Sequence, residues 1–358
     1  MVEPQAMLLP TRRTGSDGKD WWKSRSQGGL NRQGEPIGAL TDWRGTRCIY
    51  ALHSRTGGET PPAVVTPGAP LLYGGTLYHH FGHLLLDLSR TYQLLRLFRR
   101  SKEPIWFHYQ GGLQGGLNAA PRSDSGTGGA SPHSIEQINN PLILEWLECL
   151  GLRKRARLIR KKLPAAMLVS SSPLFCDRRF VSADFPLAAQ AALAPRLRRR
   201  LERIEPVAGR IAYLSRHKLQ GGTTRFVGED EVVAAIADHP RIDVICPEEL
   251  SIKEKLALYR RYPLITGFAQ ACMNLKFFAP YTQVSEVARQ VMFIAGPRSL
   301  SSNWVNLDRA AGFGDRLLDC SLPEGDSELQ TMAAEAGFQR SSSFDVQLVV
   351  RTLLELAG

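Results

Sequence analysis

The chain has 358 residues, 43% of them hydrophobic and 22% charged, with a formal net charge of +11. That length exceeds one ordinary core and predicts two domains of a soluble globular protein. No apolar run approaches the roughly 18 residues of a membrane-crossing helix, and the N-terminus lacks the basic-then-apolar pattern of a secretory signal.

Residues 1–45, rich in Gly, Arg, Ser and Pro, predict an irregular N-terminal arm. Tyr78–Arg100 predicts a helix, because Leu84, Leu85, Leu88, Tyr92, Leu95 and Phe98 recur at three- and four-residue steps. Gln110–Ser134, with its GGLQGG and SGTGG runs, predicts a loop that is either disordered or a functional lid. Pro141–Leu150 is a helix stopped by Gly151, and Ala165–Ser170 a strand. From Gly209 onward strands and helices alternate. The strands are Arg210–Ser215, Arg241–Cys246, Leu264–Gly267 and residues 288–295. The helices are Glu229–Asp238, a capping-box helix opened by Ser251 and Glu254, and one running through Asn274–Phe278. This alternation predicts a parallel, doubly wound α/β sheet with ligands at the carboxyl ends of its strands. A last helix, Phe344–Leu356, is expected to pack back across the domains. The expected division is 1–45 arm, 46–205 first α/β domain, 206–325 second α/β domain, and 326–358 C-terminal helix.

The excess positive charge concentrates in Arg153–Lys162 and Arg196–Arg203. Such runs suit nucleic acid, an anionic membrane face or phosphorylated ligands, and are most often solvated surface. With no zinc-finger spacing, RNP signature or aromatic-interleaved basic strand, no nucleic-acid partner is expected. Cys48, Cys149, Cys176, Cys246, Cys272 and Cys320 form no C-x-x-C pair, so neither a zinc site nor a disulfide framework is expected. A cytoplasmic location fits best.

Three segments carry candidate chemistry. Arg216, His217, Lys218 and Arg225 surround Gly221-Gly222 after the Arg210–Ser215 strand, where cations can hold a diphosphate. Gly267–Asn274 passes from strand to helix through small residues and offers backbone N–H groups to an anion, with Lys276 nearby. His79-His80-Phe81-Gly82-His83 precedes Asp87 and Arg90. One helical turn separates His83 from Asp87, the spacing at which a carboxylate orients a histidine as general base. Each segment also has a structural reading, as a basic loop, close helix packing or a buried polar set. Neither a dinucleotide fingerprint nor a P-loop nor a nucleophile elbow is present.

In this order the segments resemble glycosyltransferase family 61: HHFGHLLLDLSR (79–90), YLSRHKLQGGTTRFVGEDEV (213–232), PEELSIKEKLALY (247–259) and GFAQACMNLKFFAP (267–280). Gly228 stands where the family's Asn precedes Glu229, and Ala269-Gln270-Ala271 replaces the usual glycine-containing pair. The resemblance implies a GT-B-like α/β fold, two Rossmann-like domains with parallel sheets facing a central cleft. It implies an inverting transferase that moves sugar from a nucleotide-sugar donor to a glycan or lipid-linked acceptor in surface polysaccharide synthesis. The alternative is a degenerate member that binds nucleotide or anionic glycan without turnover. His83 and Asp87 would supply the base, one or the other or as a pair. Donor and phosphate binding would fall to Ser215, Arg216, Arg225, Glu229, Gly267, Gln270, Ala271 and Asn274, chiefly the two arginines. No cofactor or metal is expected, because cations replace the metal electrostatically. The basic runs would suit a polyanionic acceptor or the inner membrane face.

Overall fold

The computed structural model describes all residues except 10, 13–24, 27, 41, 45–46, 51–69, 111–132, 297–300 and 323–326. The lid-like loop expected over Gln110–Ser134 therefore lies almost wholly outside the described residues. The chain divides into two compact units, Met1–Ala194 and Pro195–Gly358.

The first unit is built on a six-stranded mixed sheet of order β2-β1-β6-β3-β4-β5. Its strands are β1 (Val2–Leu8), β2 (Gly29–Leu30), β3 (Leu71–Tyr78), β4 (Ile105–Gln110), β5 (Ala156–Leu158) and β6 (Leu163–Ser170). Strands β6, β3, β4 and β5 run parallel, while β1 pairs antiparallel with both β6 and β2. The expectation of an irregular arm over 1–45 is thus corrected. Val2–Leu8 pairs along its length with Leu163–Val169, and Ala6 and Leu8 enter the core with Tyr73, Ile159 and Leu168. Pro4 and the glycine-rich stretch beyond mask this strand in the sequence, and only tertiary pairing reveals it. The unit also holds helices α1 (Phe81–Asp87), α2 (Ser89–Phe98), α3 (Pro141–Cys149) and α4 (Phe185–Ala192), with short two-stranded ribbons beside them in the chain. The single helix expected over Tyr78–Arg100 is three things instead. Tyr78 ends β3, His79-His80 form a bend, and Leu88 (φ −72°, ψ 11°) breaks the helix in two. Helix α3 starts as expected, with the Asn140 side chain accepting from the Leu142 N–H and Pro141 in its first turn.

The second unit is a five-stranded, wholly parallel sheet. Its chain elements are α5 (Pro195–Glu202), β7 (Ile211–Leu214), β8 (Gly222–Val227), α6 (Glu229–Ile236), β9 (Ile242–Ile245), α7 (Ile252–Arg261), β10 (Leu264–Phe268), β11 (Arg289–Ile294), α8 (Ser302–Ala311), β12 (Arg316–Asp319), α9 (Ser327–Glu335), β13 (Phe338–Ser343) and α10 (Val346–Ala357). The strand order is β9-β7-β10-β11-β12, with every pairing parallel. In chain order this is the 2-1-3-4-5 arrangement of doubly wound sheets, whose topological switch point lies between β7 and β10. Strands β8 and β13 pair parallel in a separate ribbon. The Ser251–Glu254 capping box forms as predicted. Val349, Leu353 and Ala357 join Tyr213, Val232, Ile236 and Phe268 in this unit's own core.

Candidate functional site

Strand β7 ends at the switch point, and there Ser215 and Glu229 are both buried. One carboxylate oxygen of Glu229, Oε1, accepts from the Arg216 backbone N–H (2.9 Å), the Ser215 hydroxyl (3.2 Å) and the Tyr213 hydroxyl (3.2 Å). With its proton given to Glu229, Ser215 Oγ accepts from His217, whose Nδ1 lies at 2.8 Å and whose backbone N–H lies at 3.2 Å. Helix α6 thus reaches back through its first residue and fixes the end of β7. Burial pushes the Glu229 carboxyl above its usual range, opposed first by the hydrogen bond from the Arg216 backbone.

This anchoring aims Arg216. Its guanidinium sits over the Phe226 ring, 5.5 Å from the centroid, and Phe226 in turn stacks on Phe268 at 4.0 Å. Burial lowers the Arg216 pKa, with Glu229 the main opposing influence. Arg225 projects from β8 between buried Thr224 and Phe226 and is exposed. Arg216 and Arg225 both line a cavity of about 210 Å³, together with Gln220, Glu229 and Asp230. Among the described residues neither guanidinium has a carboxylate within ion-pair distance. Of the other cations expected there, Lys218 pairs with Glu249 at 3.0 Å and His217 bonds Ser215. The sequence cluster therefore reduces to two arginines facing one cavity.

The Gly267–Asn274 turn follows from β10, the strand paired with β7. Gly267 has φ +149°, and a Cβ there would stand 2.6 Å from the Leu214 carbonyl oxygen, so only glycine lets β10 approach β7 this closely. Gln270 donates from Nε2 to that same carbonyl at 3.0 Å. The helix beyond is a 3-10 helix over Ala271–Phe278, with Gln270 as a cap whose side chain makes no capping bond. Gly267, Gln270, Ala271 and Asn274 do not line the cavity shared by the arginines. Asn274 is 4% exposed, and its Oδ1 is buried without a hydrogen-bond partner among the described residues. Lys276, expected to add charge to the site, instead forms a buried ion pair with Asp315 and lies 4.0 Å from the Phe313 ring centroid. Its charge is spent inside the fold.

Gly228, which stands where the resemblance expects Asn, has φ +97° and caps α6. Asn is the residue that best tolerates this left-handed conformation after glycine, so the exchange keeps the turn. A Cβ here would meet Val346 Cγ2 at 2.8 Å, which gives this chain its own reason for glycine.

In the first unit, His83 Nδ1 and Asp87 Oδ2 are 2.8 Å apart on α1, with side chains 29% and 16% exposed. When Nδ1–H donates to Asp87, Nε2 carries the lone pair, which is the tautomer a general base requires. His80 and Tyr78 lie beside it, with ring centroids 5.3 and 5.8 Å from that of His83. Past the break at Leu88, Arg90 is buried and donates to the Ser171 carbonyl at 2.8 Å. Sequence reasoning missed Asn140, which donates to the His79 carbonyl at 3.1 Å and ties α3 to the histidine segment. It also missed Phe338 and Asp230, which line the arginine cavity.

The basic runs separate. Within 153–162, Arg153 binds Glu136 through two contacts of 2.8 and 2.6 Å, Arg155 the Glu103 carbonyl at 3.0 Å, and Arg160 pairs with Gln137. On α5, Leu197 and Leu201 are buried while Arg196, Arg198, Arg199 and Arg200 are exposed. Among the described residues no group of three or more His, Cys, Asp or Glu is placed to hold a metal ion, and no helix is long and apolar enough to cross a membrane.

A protein-family model described as Glycosyltransferase 61 matches residues 81–284, more than half of the chain and the span that holds His83, Asp87, Arg216, Arg225 and Glu229. A comparison with curated proteins returns no match.

Proposed function

The chain belongs to glycosyltransferase family 61, and from that membership we propose an inverting transfer of sugar from a nucleotide-sugar to a glycan or lipid-linked acceptor. The observation that carries this reading is the pair of arginines, Arg216 and Arg225, without carboxylate partners among the described residues and lining one cavity at the carboxyl edge of a doubly wound sheet. In the proposed reaction the His83–Asp87 pair removes the proton of an acceptor hydroxyl. The acceptor oxygen then attacks the anomeric carbon, and the bond from that carbon to the donor phosphate breaks with its electron pair on the departing diphosphate. Inversion follows from the single displacement. Arg216 and Arg225 neutralise the charge that develops on the leaving group, so no metal is part of the mechanism. A GT-B arrangement and a role in surface polysaccharide synthesis belong to the same proposal.

A cytoplasmic site of action at the inner membrane face is the proposed location, with α5 as the contact. Its arginines fit an anionic lipid surface better than the 153–162 run, whose cations are largely engaged internally. Reversing Arg196, Arg199 and Arg200 to Glu abolishes co-sedimentation with phosphatidylglycerol vesicles if this is right.

The test of the transferase reading is nucleotide release from a panel of UDP-, GDP-, CMP- and dTDP-sugars with glycan and lipid-linked acceptors, with Arg216→Ala as control. Release lost in Arg216→Ala supports the mechanism. Nucleotide binding without release from any donor would support the non-catalytic alternative instead.

A further inference from the structure

The cavity of Arg216 and Arg225 is closed by a segment beyond residues 81–284, the span matched by the family model. Strand β13 pairs with β8 from Gly222↔Phe338 to Val227↔Ser343, which sets it directly beside the strand that carries Arg225. The Gly222 N–H donates to the Gly337 carbonyl at 3.2 Å, and Arg340 Nε donates to Thr224 Oγ1 at 2.9 Å. Ala336 and Phe338 thereby become walls of the cavity.

The chemistry of these walls is mixed in a particular way. Arg216 and Arg225 offer cationic donors, Asp230 a carboxylate with no partner among the described residues, and Gln220 an amide. Phe226 is already engaged, stacked on Phe268 and capped by Arg216. Phe338 has no ring partner among the described residues, and its Cε1 lies 3.9 Å from where a Cβ on Gly222 would be. A volume of about 210 Å³ is smaller than the roughly 300–1,000 Å³ of sites that enclose a whole small-molecule ligand. It suits one moiety of a nucleotide-sugar. An aromatic ring beside hydroxyl-accepting and amide groups, next to two phosphate-binding cations, is the set that recognises a nucleoside rather than a bare anion.

We propose that this cavity holds the nucleoside of the donor, with Phe338 its specificity-determining contact and Asp230 the acceptor for its hydroxyls. The proposal rests on the donor reading above and adds which part of the donor the cavity takes and which segment selects it.

Isothermal titration of the full chain with UDP, GDP, dTDP and, separately, inorganic pyrophosphate tests it. Phe338→Leu keeps an apolar side chain without a ring face, and Phe338→Tyr keeps the ring. The expected result is that Phe338→Leu weakens the preferred nucleoside diphosphate about tenfold or more, leaves pyrophosphate unchanged, and that Phe338→Tyr behaves as wild type. Asp230→Asn, at an exposed position in the first turn of α6, should weaken nucleoside diphosphate while pyrophosphate holds or tightens. Phe338→Leu binding nucleoside diphosphate as wild type does, or Asp230→Asn tightening both ligands together, would overturn the proposal. Wild-type protein that binds pyrophosphate but no nucleoside diphosphate would overturn it and leave the anion site standing. Failure to bind either ligand would remove the donor reading itself.

Discussion

Removing the Glu229 carboxylate is the sharpest perturbation of the second unit. The side chain is 3% exposed and its Oε1 serves the Tyr213 hydroxyl, the Ser215 hydroxyl and the Arg216 N–H. Glu229→Ala leaves these donors buried without an acceptor, at about 1–3 kcal/mol each. They share one oxygen, so the costs do not simply add, and a total loss of roughly 3–5 kcal/mol is expected. In a domain of this size that is a fall in Tm of roughly 6–20 °C. Glu229→Gln keeps an acceptor oxygen and no longer buries a charge, so it should lie within about 1 kcal/mol of wild type. The pH dependence separates the two effects further. Burial raises the folded pKa, so Glu229 favours folding most when protonated, and its contribution falls as pH rises through that folded value. Glu229→Gln lacks this slope. Urea unfolding of the three proteins between acid and neutral pH is the assay. A Glu229→Ala protein within about 0.5 kcal/mol of wild type, the range of an unremarkable surface change, would refute the account of Glu229 as the anchor of β7.

Other expectations follow from buried groups elsewhere. His108 is fully buried, donating from Nε2 to the Leu9 carbonyl (2.7 Å) and accepting the Tyr73 hydroxyl on Nδ1 (2.8 Å), and burial lowers its pKa to about 4. Its stabilising contribution is present above the unfolded value of about 6.5 and is lost as pH falls towards 4, a change of roughly 3 kcal/mol. Acid unfolding that is identical in His108→Gln would count against this. The Lys276–Asp315 pair is buried on both sides, and burial works against the charge of each partner. Lys276→Met alone should cost about 3–5 kcal/mol, and the double change Lys276→Met with Asp315→Leu should recover much of it. Equal stability of single and double variants would contradict that. Asp87→Asn removes the negative charge beside His83 and should lower kcat by about 10²-fold or more with little change in donor affinity. An unchanged kcat would remove the pair from the mechanism.

The alternating half of the chain was legible because each element there carries its own signal. Arg210–Ser215, Arg241–Cys246 and Leu264–Gly267 each match a strand to within one residue at either end, and the Ser251–Glu254 box marks α7 by chemistry alone. The order of those strands in the sheet placed Arg216 at the switch point. Elements whose stability comes from a distant partner were not legible. GTTRFV and FQRSSS carry no strong strand signal, yet they form β8 and β13 because each supplies the other's backbone hydrogen bonds. Val2–Leu8 is the same case against β6. In the histidine segment the one-turn spacing does bring His83 and Asp87 within 2.8 Å, but the single helix was the wrong shape. The apolar period continues through Leu88, and nothing in it announces the break that separates Asp87 from Arg90.

The pairing of β8 with β13 also has a consequence in time. Thr224 and Arg340 lie 116 residues apart, so β8 leaves the ribosome long before its partner exists. During that interval neither the wall of the arginine cavity nor the part of the core supplied by α10 can form, and β8 presents an unmatched backbone edge. Nascent chains halted before Phe338 lack both β13 and the α10 side chains of this core, so the proposed donor binding should appear only in chains that extend past Ala357. The cavity of Arg216 and Arg225 is thus completed only late in synthesis.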